Sequence, residues 1–229
     1  MKRMLYLGTD PSSLEDQDHV IHCPLIQIVA RSVEEEELLS AYRDLPAYTH
    51  ILFTSKNAVR IFFEHLIALN ISKQILNSCH LIAIGAVTAA YLKVQGCPAH
   101  FVSEVQTQEG LVSLLQTLPL ESAYLFLPRS SLSRPVLVQF LEQSNVRYLA
   151  CDLYQTITCV PKKLPDLSQI DEILFTSPST VRAFIEVFGA LPRDKKLLAI
   201  GPITRQALNE IVEICPTDYD GPNLINFTG

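Results

Sequence analysis

The chain has 229 residues, 48% of them apolar and 18% charged, with a formal charge of −6. That composition excludes a disordered chain, and the acidic balance disfavours a general nucleic-acid surface. No apolar run approaches the roughly 20 residues of a membrane span, and no signal-like apolar core follows Lys2 and Arg3.

In chain order, Met4 to Leu7 reads as a strand, followed by Gly8-Thr9-Asp10-Pro11 and a β-prone segment near Val20 and Ile21. Pro24 to Val29 is extended, and Glu34 to Glu37 is an acidic run at a helix N-terminus, where carboxylates suit the dipole; it reads as a solvated face. Ile51 to Thr54 is a short, nearly all-apolar strand, and Val59, Phe62, Phe63, Leu66 and Ile67 behind it recur at helical spacing. Leu81 to Ile84 is the next strand; Gly85 permits a tight turn, and Val87 to Val94 is helical up to the stop at Gly96. A helix is predicted over Glu109 to Leu118, a strand over Tyr124 to Leu127, and a helix from Ser133-Arg134-Pro135 to near Asn145. Asp152 to Thr158 is extended, Ile173 to Thr176 is a strand, and Val181, Phe184, Ile185 and Phe188 mark the helix after it.

The chain repeats itself. Ile51-Leu52-Phe53-Thr54-Ser55 with Val59-Arg60 returns as Ile173-Leu174-Phe175-Thr176-Ser177 with Val181-Arg182. Leu81-Ile82-Ala83-Ile84-Gly85 with Thr88 returns as Leu197-Leu198-Ala199-Ile200-Gly201 with Thr204. Two copies this far apart are no solenoid, whose repeats run about 20–50 residues. They predict an α/β protein of two related domains, each a parallel sheet flanked by helices, joined by a two-stranded extended linker. The stretch after the second Phe-Thr-Ser is too short for a whole domain. One domain is therefore expected to be discontinuous, residues 1–28 with 157–229, and the other to span 32–153.

Parallel sheets collect ligands at the carboxyl ends of their strands, where helix N-termini present free N–H groups. Thr54, Ser55, Lys56 and Asn57 occupy that place, as do Thr176, Ser177, Ser179 and Thr180, and so do the turns Gly85 to Thr88 and Gly201 to Thr204. Any one of these residues alone is an ordinary N-cap. Four such turns, in two near-identical pairs, would line both walls of a cleft suited to several carboxylates or phosphates. Arg129 follows a strand and Arg134 starts a helix, so both are placed to meet an anion, whereas Arg60 and Arg182 read as solvated helix faces. The six cysteines (23, 79, 97, 151, 159, 215) contain no CxxC pair and read as buried thiols of a cytoplasmic protein. The histidines are scattered, and the chain carries no zinc motif, Walker loop or GxGxxG.

The order and spacing of Phe53-Thr54-Ser55-x-Asn57-Ala58-Val59, Ile84-Gly85-x-x-Thr88, Glu109-Gly110-Leu111-Val112, Leu127-Pro128-Arg129 with Arg134, Tyr154-x-Thr156, Phe175-Thr176-Ser177-Pro178 and Ile200-Gly201-x-x-Thr204 resemble the uroporphyrinogen-III synthase family. The resemblance implies a cofactor-free, monomeric enzyme. Its substrate would be hydroxymethylbilane, a linear tetrapyrrole polycarboxylate, closed with ring D inverted and water lost. The implied route expels hydroxide to give an azafulvene cation and passes through a spiro intermediate. Tyr154 matches the family's linker tyrosine, implied to assist departure of the hydroxyl, while the turn residues anchor carboxylates. Two departures stand out: Gly8-Thr9-Asp10-Pro11 replaces the usual Thr-Arg-Pro, and Asp218 to Asn223 lacks the usual closing helix pattern. The rival readings are a two-domain protein that clamps a small anion without turnover, and a sugar-phosphate enzyme.

Overall fold

A computed structural model describes residues 2–12, 14, 18–214 and 225–226. In chain order the elements are β1 (Met4–Tyr6), β2 (Val20–His22), β3 (Ile26–Ala30), α1 (Glu36–Arg43), β4 (His50–Phe53), α2 (Lys56–Ala68), β5 (His80–Ala83), α3 (Ala86–Val94) and β6 (Phe101–Val102). They continue with α4 (Gln108–Leu115), β7 (Tyr124–Ser130), α5 (Val136–Gln143), β8 (Arg147–Thr158), β9 (Glu172–Phe175), α6 (Pro178–Phe188), β10 (Lys196–Ala199), α7 (Pro202–Ile214) and β11 (Ile225–Asn226). Two compact units result: the described residues of Met1–Gln27 and Thr156–Gly229 form one, and Ile28–Gln155 forms the other. Strands β3 and β8, neighbours in one sheet, are the strands that pass from unit to unit. Cys215 and the segment Asp218 to Asn223 lie outside the described residues. No helix among the described residues is long and apolar enough to cross a membrane.

The larger unit carries the sheet β3-β8-β7-β4-β5-β6, in which β8, β7, β4, β5 and β6 run parallel. Both faces are covered, which is why its strands read as continuous apolar runs. Alternation sorts the side chains. Ile51, Phe53, Leu81, Ala83 and Phe126 meet Tyr42 and Phe62 on one face, all buried. Leu52, Ile82, Leu125 and Leu127 meet Leu111, Leu115, Leu137 and Leu141 on the other. Each such side chain contributes about 1.5–3 kcal/mol relative to exposure.

The smaller unit is a parallel sheet in the order β11-β10-β9-β1-β2. Its first strand lies between β9 and β2, with Met4 opposite Glu172 on one side and Val20 on the other. Leu5, Ile173, Phe175, Val181 and Phe184 form its core.

The acidic run Glu34 to Glu37 is exposed throughout, a solvated face that also carries ion pairs. Arg31 donates to Glu35 from Nε and Nη2 (3.0 and 2.6 Å), to Glu37 (2.8 Å) and to the Asp152 carbonyl (3.0 Å). The guanidinium holds the Glu35 carboxyl below its usual range. Helix bounds also differ: α4 ends at Leu115 rather than Leu118, where Thr117 turns its hydroxyl back onto the Leu114 carbonyl at 2.7 Å. Strand β7 runs three residues past Leu127, because pairing with β8 continues there.

The larger unit carries an acid-sensitive pair. His50 packs against His80 with ring centroids 5.1 Å apart, and its Nδ1 lies 2.7 Å from the Thr49 hydroxyl. Burial, then the His80 charge, lowers the His50 pKa; burial also lowers that of His65, which meets the Tyr42 hydroxyl at 3.1 Å. A lowered base binds fewer protons folded than unfolded, so its contribution is complete above the ordinary value of 6.5 and declines as pH falls below it. Thermal scans from pH 8 to 5 are expected to show the melting temperature falling below about pH 6.5. His50→Asn, which keeps a polar partner for Thr49, should flatten the slope, and a melting temperature constant down to pH 5 would contradict this account.

Candidate functional site

In each unit the parallel strands deliver their carboxyl ends to one rim. In the larger unit, β4 ends in Thr54 and Ser55, and Ser55 caps α2: its backbone is extended (φ −163°) and its Oγ accepts from the Ala58 N–H at 3.0 Å. In the smaller unit, β9 ends in Thr176 and Ser177, and Ser177 caps α6 with the same extended geometry (φ −165°). There Thr180, fully buried, completes a capping box. Its hydroxyl accepts from the Thr176 and Ser177 N–H groups (3.1 and 3.2 Å) and donates to the Ser177 carbonyl (2.7 Å). The Ser177 and Ser179 hydroxyls lie 2.9 Å apart. The repeated Phe-Thr-Ser is thus a repeated strand end and helix cap.

The second motif behaves alike. Gly85 ends the turn after β5 and caps α3, and a Cβ there would overlap the Gln106 side chain that lies across it. Gly201 has φ +78°, a conformation that favours glycine, and α7 starts directly after it. Thr88 and Thr204 are both buried, at 4% and 3% exposure.

The expected cations divide. Arg129 donates from Nε to Asp152 at 2.8 Å, its partner across β7 and β8. Arg134 forms a two-pronged pair with Glu109 (2.6 and 2.8 Å), which holds that carboxyl down at about 2. Both arginines are already matched to carboxylates. Lys56, at the first turn of α2, sits 5.6 Å from the centre of the Tyr91 ring, and among the described residues no carboxylate pairs with it. Arg60 is held by Glu64 on the exposed side of α2.

Tyr154 is 5% exposed on β8, and its hydroxyl lies 2.9 Å from Ser55 Oγ. Ser130 stands opposite Tyr154 across β7 and β8. Burial raises its pKa above the ordinary 10.0, opposed by the two serines and the Arg60 charge. The phenol therefore carries its proton throughout the neutral range and is a donor rather than a base. Sequence reasoning placed Tyr154 and Ser55 separately but had no means of joining residues 99 apart, and it missed Ser130, Asp152 and Gln106. The partner of Arg134, Glu109, lies in the Glu109-Gly110 motif, where nothing local marks it as an ion-pair partner. Among the described residues there is no group of three or more His, Cys, Asp or Glu side chains suited to a metal.

Known proteins resemble this chain in sequence and in fold. A family model described as "Uroporphyrinogen-III synthase HemD" matches residues 15–215. A putative uroporphyrinogen-III synthase of Methanothermobacter thermautotrophicus is 28% identical over 211 residues, covering 85% of this chain and 83% of the relative. A uroporphyrinogen-III synthase of Chlorobaculum parvum is 25% identical over 195 residues, covering 79% of this chain and 78% of the relative. The crystal structure of a mutant uroporphyrinogen III synthase from the extremely thermophilic bacterium Thermus thermophilus shares the fold, with a TM-score of 0.66 at 23% identity over 92% of this chain and 89% of that one.

Proposed function

The chain belongs to the uroporphyrinogen-III synthase family, and on that premise we propose that it closes hydroxymethylbilane to uroporphyrinogen III, with ring D inverted and water lost. It is an enzyme of tetrapyrrole biosynthesis, and in this proposal it acts as a cytoplasmic monomer without a cofactor. The observation that carries the chemical reading is the protonated Tyr154 hydroxyl held against Ser55 at the carboxyl rim of the larger unit. Departure of the substrate hydroxyl requires a proton donor, and a positioned phenol supplies one.

The anchors proposed for the substrate's carboxylates are Thr54, Ser55, Lys56, Gly85 and Thr88 on one unit, and Thr176, Ser177, Ser179, Gly201 and Thr204 on the other. Their support is local. The first-turn N–H groups of a helix have no acceptor within the helix, so α2, α3, α6 and α7 each offer such donors at a rim. Lys56 adds a positive charge with no carboxylate partner among the described residues. Arg129 and Arg134 would bind substrate only by sharing or exchanging Asp152 and Glu109, so they are the weaker anchors of the set.

The test is to supply hydroxymethylbilane and separate the product isomers. Uncatalysed closure gives the uninverted type I ring, so enzyme-dependent type III product is the expected result. Type I alone, formed at the uncatalysed rate with the bilane bound, would make this a binding protein without turnover.

A further inference from the structure

The register of β7 against β8 contains one irregularity, and it falls beside Tyr154. From Tyr124 opposite Arg147 to Arg129 opposite Asp152 the pairing advances one residue at a time; Ser130 then pairs with Tyr154, and Leu153 is skipped. Side chains alternate between faces along a strand, so a one-residue slip moves a side chain to the other face. Without the slip Ser130 would stand opposite Leu153. With it, Ser130 shares a face with Tyr154, and bulges of this kind re-aim side chains at functional sites. The backbone holds the slip in place, with the Ser131 N–H donating to the Tyr154 carbonyl at 3.0 Å.

Ser55, which meets the phenol, and Ser130, which stands opposite Tyr154 in register, each already accept a backbone N–H: Ser55 from Ala58 at 3.0 Å and Ser130 from Leu132 at 3.2 Å. What each retains is its own O–H. The phenolic oxygen has the lone pairs to accept two such donors.

We infer that Ser130 is a positioning residue for the reaction: with Ser55 it donates to the Tyr154 oxygen, so that the phenol proton points away from both serines and toward the departing hydroxyl. This rests on the reading of Tyr154 as the proton donor. In the step, the proton moves from the Tyr154 oxygen to the substrate hydroxyl, which leaves as water with the C–O electron pair. The bilane becomes the azafulvene cation and the tyrosine a phenolate, stabilised by the two serine O–H groups. The proton released as the ring closes restores the phenol.

A double-mutant cycle tests this through kcat and KM with hydroxymethylbilane. Ser130→Ala is expected to lower kcat about 3–30-fold, within the range of coupling between neighbouring groups of one network, with KM nearly unchanged. Ser130→Thr, which keeps the hydroxyl and suits a strand, should restore most of the rate. In a Tyr154→Phe background Ser130→Ala should have no further effect, because the group it positions is gone. A full additional loss in the double variant, or an unchanged rate in Ser130→Ala, overturns the positioning role. If Tyr154→Phe itself leaves the rate unchanged, the donor reading fails first and this inference falls with it.

Discussion

Tyr154→Phe is expected to lower turnover about 10–100-fold, at or below the low end of general-acid effects. The substitution removes one oxygen from a side chain that is 5% exposed and keeps the ring packed where it is. The loss is bounded because the pyrrole nitrogens of the substrate help to push the hydroxyl out. The product should remain type III, since the choice of isomer depends on how the bilane is folded and not on who protonates the leaving group. The raised phenol pKa adds a constraint on pH. Ionisation of Tyr154 removes the donor only above about pH 10, so no loss of rate between about pH 6 and 9 should be traceable to it. Steady-state rates and isomer ratios of the variant check all three statements. An unchanged rate would reduce Tyr154 to a strand residue, and a shift to type I would make it part of what folds the substrate.

The second large effect is on stability. Gly110→Ala places a methyl group in the first turn of α4, where it would overlap the Val105 carbonyl oxygen and stand 2.8 Å from Ser103 Oγ. That carbonyl is not free to yield, because it accepts from the Ser103 hydroxyl at 2.8 Å and from the Thr107 N–H at 2.7 Å. Alanine gains about 1 kcal/mol of helix propensity over glycine, whereas overpacking costs about 1–3 kcal/mol and sometimes more. Overlap with an anchored backbone atom belongs at the upper end, so a net loss of about 2 kcal/mol is expected. Thermal unfolding followed by circular dichroism should show a drop of about 4–8 °C. Equal or greater stability in the variant would mean that the 103–107 loop gives way freely.

Much of the fold was legible in the chain. The apolar runs at Ile51, Leu81, Ile173 and Leu197 became central parallel strands because strands covered on both faces need no polar alternation. Ser55 and Ser177 became caps with nearly the same backbone angles, because a serine after a strand end and before an apolar helix has one favourable use for its hydroxyl. The extended stretches around Ile26 and Leu153 became the strands that pass between units.

Other features depended on pairings that no local pattern encodes. Arg129 and Arg134 look like anion-seeking cations in the sequence, yet Asp152 is matched to one by strand register and Glu109 to the other by the packing of α4 beside α5. The acidic run near α1 is the solvated face it reads as, but its ion pairs to Arg31 are marked by nothing local. The sequence alone determines the strand–turn–helix repeat and carries the resemblance to the family, within which Tyr154 is proposed as the donor, because these rest on spacing along the chain. The partners of that tyrosine were decided by tertiary structure, since a single skipped residue at Leu153 selects which serine faces it, and register is a property of two strands together.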